Sequence, residues 1–227
     1  VLFVAFDLEE AGLVGSTAFC QSPPIPLDRV DLFLTADMLG RSLAGVCPRR
    51  VFGFGTEYAP DLIALVKRAA GDQTSIRVEL IGSDLLLADR SDYGPFRRRR
   101  IPFLFFSTGE NPHYHKPTDR SESIDYEQLE AASRLVCDLV RIAATTETLP
   151  RWGEPAVPPP GEAGAVRQVF QDLLEHRNKM NLPNYQQIMM ERAIEMIDVA
   201  ESERRALTPK ERARMLRVAQ LVLYTAL

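Results

Sequence analysis

The sequence predicts an α/β layered fold with a mostly parallel sheet, followed by an all-helical segment. Three observations carry this expectation. Short apolar runs rich in β-formers, at Val1–Phe6, Val30–Ala36, Val51–Gly55, Ile76–Ile81 and Ile101–Phe106, alternate with segments of helical period. A run such as Val-Leu-Phe-Val-Ala-Phe is apolar throughout rather than alternating, as strands covered on both faces are. A proline-rich stretch at 149–164 then separates residues 1–148 from residues 165–227, where apolar residues recur only at helical spacing.

Taken in order, Val1–Phe6 reads as a buried parallel strand that empties into the carboxylates Asp7, Glu9 and Glu10. Gly12 and Gly15 follow, and a helix then runs to Cys20. Ser22–Pro26 is a rigid connector. Val30–Ala36 is a second strand, and it too ends at a carboxylate, Asp37, followed by Met38-Leu39-Gly40. Asp61–Ala70 is a helix between Pro60 and Gly71. Ile76–Ile81 is a strand, 83–95 a polar, turn-rich stretch, and Ile101–Phe106 a strand with Pro102 near its start. A loop at 107–118 holds two of the three histidines. Asp125–Thr145 is a helix whose apolar face carries Leu129, Ala132, Leu135, Val136, Leu139 and Val140. In the tail, Val166, Phe170, Leu173 and Leu174 form one stripe, and Ile188, Met189, Ala193, Met196 and Ile197 another. Thr208-Pro209-Lys210-Glu211 is a capping box opening a helix with Leu216, Ala219, Leu223 and Leu227 on one side.

A chain of 227 residues suffices for one domain with an appendage. A net charge of -4 argues against a dedicated nucleic-acid binder, and no apolar stretch is long enough to span a bilayer. Cys20, Cys47 and Cys137 are far apart and in no CxxC pattern. They form neither a disulfide framework nor a thiolate zinc site, although one pair remains able to bridge. Residue 1 is Val and lies inside an apolar run, so the chain is expected to be the downstream part of a longer protein. The lack of a signal peptide therefore says nothing about export.

The metal-capable groups at strand ends and in loops are Glu9, Glu10, Asp37, Asp92, His113 and His115. Carboxylate with imidazole and no thiolate suits a catalytic zinc or a related divalent ion. Each also has a bland reading. Glu9 and Glu10 suit a solvated pair at a helix start. Asp37 and Asp92 suit turn caps, and the two histidines suit a plain surface loop.

Four segments occur in order: FVAFDLEEAGLVGSTAF, LTADMLGR, RSDYGPFRRRRIPFLFFSTG and YHKPTDRSESIDYEQL. Together they resemble the zinc aminopeptidases of the co-catalytic di-metal exopeptidase family, which also holds glutamate carboxypeptidase-type enzymes and glutaminyl cyclases. The match covers roughly 1–144. The resemblance implies a three-layer α/β sandwich of the phosphorylase/hydrolase type, two zinc ions and a peptide substrate. It implies that Glu9 is the general base, that Glu10 and His115 are ligands of one zinc and Asp37 of the other. It further implies that Tyr114 donates a hydrogen bond to the tetrahedral oxyanion. Ser91 and Asp92 are expected as support near the site, and His113 as a surface residue.

The chain departs from the family pattern in one major respect. The family's His-x-Asp motif, which supplies a histidine and a bridging aspartate, lies upstream of the Glu-Glu pair, and no such motif precedes Glu9. The isolated chain is therefore expected to be inactive while its parent protein is active. Arg97–Arg100 reads as a solvated turn, with a basic rim for acidic substrates as the sharper alternative. Competing functions are a non-catalytic binding or scaffold relative of the same fold and, further behind, a glutaminyl cyclase. The resemblance also raises export to the periplasm or outside the cell, and the helical tail suggests a homo-oligomer contact.

Overall fold

The computed structural model describes residues 1–72, 75–84, 86–87 and 89–225. Its elements in order are α1 (Val14–Gln21), β1 (Phe33–Asp37), β2 (Arg50–Phe54), α2 (Leu62–Ala70), β3 (Arg77–Leu80), α3 (Tyr93–Arg97), β4 (Phe103–Ser107), α4 (Tyr126–Thr145), α5 (Glu162–Glu175), α6 (Asn184–Ser202) and α7 (Pro209–Thr225). Strands β1 to β4 form a sheet in the order β1-β4-β2-β3. The β1–β4 and β2–β3 pairings are parallel and the β2–β4 pairing is antiparallel.

The sheet has helices on both faces because its central strands are buried at every position and a strand alternates sides with period two. On one face Val51, Leu104 and Phe106 pack with Leu62 and Val66 of α2 and Leu135 and Leu139 of α4. On the other face Phe52, Phe54, Phe103 and Phe105 pack with Val166, Phe170 and Leu173 of α5, Ile197 of α6 and Leu216 of α7. The tail therefore supplies the third layer of the sandwich. Leu227 of the expected α7 stripe lies outside the described residues. The α6 stripe runs through Met190, Ala193, Ile197 and Ala200, while Ile188 is exposed.

Two largely buried ion clusters fasten α5 and α7 to the sheet. Arg50 of β2 bonds Glu79 of β3 and, at 2.7 Å, Asp172 of α5. Arg212 of α7 bonds Glu162 of α5 at 2.6 Å and Asp84 at 2.9 Å, and Glu162 also accepts from the Gly82 N–H at 2.8 Å. The segment read as a proline-rich linker crosses the end of β2. Trp152 stacks on Tyr58 with centroids 4.2 Å apart. The Gly153 and Val157 N–H groups donate to the carbonyls of Tyr58 and Glu57, each at 2.7 Å.

One strand expectation fails. Val1–Phe6 is not in the sheet, and Val1, Leu2, Phe3 and Val4 are exposed. An apolar run makes a segment able to pair, but a strand also needs a neighbouring ladder for its backbone groups. Here only Phe6 enters the core, against Phe19, Phe33 and Phe96. The polar, turn-rich stretch expected at 83–95 runs into the short helix α3, with Tyr93 and Phe96 fully buried.

Candidate active site

The site lies at the carboxyl ends of the parallel pair β1 and β4, where open α/β sheets place their ligands. Asp37 is the last residue of β1 and pairs in register with Ser107 of β4. Beyond β4 the chain turns through 108–112 into the loop of Tyr114 and His115. The two loops are tied together. The Thr108 hydroxyl donates to the Met38 carbonyl, Ala44 N–H to Glu110 at 2.8 Å, and Arg41 pairs with Asp119 at 2.7 Å.

Glu9 and Glu10 arrive by a different route. They sit in a turn, not at a strand end, and the turn is folded back onto the start of α1. Gly15 N–H donates to the Asp7 carbonyl at 2.9 Å. A Cβ on Gly15 would lie 2.4 Å from that same oxygen, so only glycine permits the approach. Leu8, Leu13, Met38 and His115 all adopt left-handed backbone conformations, with φ of 54°, 62°, 54° and 55°. Such conformations cost about 1–3 kcal/mol each and gather at functional sites. Here each flanks or belongs to the candidate set.

The fold brings the five expected residues to one cleft: Glu9, Glu10, Asp37, Tyr114 and His115 all line it. His115 Nε2 lies 3.1 Å from Glu10 Oε1, and the Tyr114 ring stacks on the His115 ring at 3.9 Å between centroids. His113 points elsewhere, with Nδ1 3.1 Å from the Thr118 hydroxyl. Asp92 has a buried oxygen, Oδ1, with no hydrogen-bond partner.

The electrostatics are those of crowded carboxylates. Partial burial raises the Glu9 carboxyl, and the negative charges of Glu10, Asp92 and Asp37 push it further; His115 opposes them. Desolvation also raises Asp37, with a bond from the Met38 N–H pulling it back and the charges of Glu10 and Asp92 adding to the rise. Burial, then Glu10 and Glu110, raise the Tyr114 hydroxyl, which keeps it a protonated donor. Carboxylates in this arrangement, one of them with an orphaned oxygen, suit a cation among them. The donor types fit zinc, but the donor number does not fill a site. Among the described residues no group of three or more His, Cys, Asp or Glu could hold an ion by itself. These residues thus fit part of a metal centre.

Arg97 and Arg98 do not form a free basic rim. Both hold Asp89, Arg97 at 2.7 Å, and Arg100 pairs with Glu154 at 3.4 Å. Burial pushes Asp89 up, but the bonds from Arg97 and Arg98 outweigh it and leave the carboxyl below its ordinary value. Sequence reasoning missed the far wall of the cleft. Besides sheet residues it includes Val166, Val169, Phe170 and Leu173 of α5 and Ala219, Val222 and Leu223 of α7. Their helical stripes were visible, but a stripe does not say whether it faces a core or a cleft.

The sequence profile of peptidase family M28 matches residues 1–140, and the chain belongs to that family. A search of curated proteins finds no match. Among solved structures, BSAP, a zinc aminopeptidase from Bacillus subtilis, is 24% identical with a TM-score of 0.52, over 67% of this chain and 38% of that one. The LapA aminopeptidase of Legionella pneumophila is 21% identical with a TM-score of 0.50, over 63% of this chain and 38% of that one. The chain thus spans less than two fifths of the length of either structure, and the likeness bears on fold.

Proposed function

We propose that this chain carries most of the catalytic apparatus of a zinc-dependent exopeptidase of the aminopeptidase type. The observation that supports it best is the meeting of Glu9, Glu10, Asp37, Tyr114 and His115 in one cleft, with Glu10 and His115 already 3.1 Å apart. In this reading Glu10 and His115 hold one zinc and Asp37 contributes to a second. When bound, zinc acidifies a water and polarises the scissile carbonyl.

The chain's own groups then have distinct tasks. Glu9, its carboxyl raised toward the range of a working base, takes the proton of the attacking water and delivers it to the leaving amine. Tyr114, kept protonated, donates to the oxygen on which negative charge develops. The acidic mouth favours a protonated peptide N-terminus. Because the donors number two and one, the 227 residues alone would hold zinc weakly and turn over little. Further donors would be needed to fill either site.

The test is Glu9→Gln in the full-length protein, assayed on aminoacyl p-nitroanilides with zinc content measured in parallel. The expected result is a fall in kcat of about 10²–10⁴-fold with zinc retained. The scaffold reading rests on the lack of a self-sufficient metal cluster among the described residues. Wild-type turnover of zero at full zinc occupancy would favour it.

A further inference from the structure

Helix α6 buries one side and leaves the other open. Gln186, Met190, Ala193, Ile197 and Ala200 are buried. On the opposite side Tyr185, Ile188, Arg192, Glu195, Val199 and Ser202 are all exposed. These residues recur at intervals of 3, 4, 3, 4 and 3, the 3.5-residue repeat by which two helices keep one seam in contact. The seam carries large apolar side chains that are about half open to solvent: Tyr185 at 52%, Ile188 at 47% and Val199 at 46%. Between them stand Arg192 and Glu195, which make no ion pair among the described residues. A helix side that met only water would need neither the apolar groups nor their regular spacing.

We infer that this seam docks a second copy of the chain, α6 against α6, antiparallel about a two-fold axis. The order of residues along the seam is what points to a second copy. An axis midway between Arg192 and Glu195 sets Arg192 of each copy opposite Glu195 of the other. The same axis sets Ile188 opposite Val199 and Tyr185 opposite Ser202. Opposite charges then meet at the centre and apolar groups meet on either side, all in one register. A parallel pair would instead set Arg192 against Arg192 and Glu195 against Glu195, which is repulsive. The flanking carboxylates Asp198 and Glu201 carry charge that would oppose a second copy, and Arg167 of the same chain offsets it at 3.0 and 2.7 Å. No α6 residue lines the candidate site's cleft, so the pairing leaves that cleft open. The inference does not rest on the peptidase reading.

The experiment is analytical ultracentrifugation of the full-length protein over a concentration series. It compares wild type with Arg192→Glu, Glu195→Arg and the double swap. Both positions are exposed, and thermal melts establish that each variant folds. The wild type should associate reversibly as a dimer. Each single variant replaces opposite-charge pairs by like-charge pairs and should weaken dimerisation by at least about tenfold. The double swap should restore it, and an equimolar mixture of the two single variants should form the mixed dimer. A wild type that stays monomeric at every concentration overturns the inference. So does a dimer unchanged in the single variants, which would put the contact elsewhere, or a loss that neither the double swap nor the mixture recovers.

Discussion

Tyr114 and Glu9 owe their proposed tasks to the same crowding. Both are partly buried, and both face the negative charge of Glu10. For Glu9, burial and then that charge raise the carboxyl above its ordinary value and favour its holding a proton. For Tyr114 it guards a neutral donor against ionisation. Tyr114→Phe removes the donor and keeps the ring stacked on His115. The expected outcome is a fall in kcat of about 10²–10³-fold with KM little changed, read from steady-state kinetics of the full-length protein. The candidate residues were legible in the sequence because each stands beside a distinctive neighbour: Glu9 beside Glu10, Asp37 before Met-Leu-Gly, His115 before Lys-Pro-Thr-Asp. Asp92's orphaned oxygen was not legible, since partnering is a property of three-dimensional surroundings.

Elements were legible where local chemistry decides them. Thr208-Pro209-Lys210-Glu211 announced the start of α7, and the reciprocal bonds are there: Glu211 N–H to the Thr208 hydroxyl at 3.3 Å and Thr208 N–H to Glu211 Oε2 at 2.7 Å. Bonds from Arg205 and then from Thr208 hold the Glu211 carboxyl down to about 2. Its folded value lies below the ordinary glutamate value of roughly 4.3. The stabilisation is therefore present above that value and is lost as pH falls through about 2. Amide exchange at the N-terminus of α7 should accelerate across this acid window, and Glu211→Gln should remove the pH dependence. Thr208→Ala should cost about 1 kcal/mol in a denaturant melt. Val1–Phe6 was misread for the opposite reason. Its composition is that of a strand, but pairing depends on a partner that local chemistry does not reveal. The Glu9–Glu10 turn is held instead by the Asp7–Gly15 contact.

Across the whole molecule the helical tail is structural as well as near the site. Phe52, Phe54, Phe103 and Phe105 would lose their cover without α5, α6 and α7. Deleting residues after Pro160 should thus replace a cooperative thermal transition with aggregation, followed by calorimetry and light scattering. This role was hidden because the proline-rich stretch at 149–164 suggests separation, while the contacts of Trp152, Gly153 and Val157 draw the chain back across the sheet. The third layer and the cleft wall are then the same helices. In the proposed reading, Glu10 and His115 belong to a metal centre. Zinc titration of the full-length protein by calorimetry, wild type against His115→Ala and Glu10→Gln, tests it most directly. Each substitution should weaken binding of one ion by more than the roughly 10–100-fold typical of losing an outer partner. Equal zinc affinity and stoichiometry in all three proteins would contradict it.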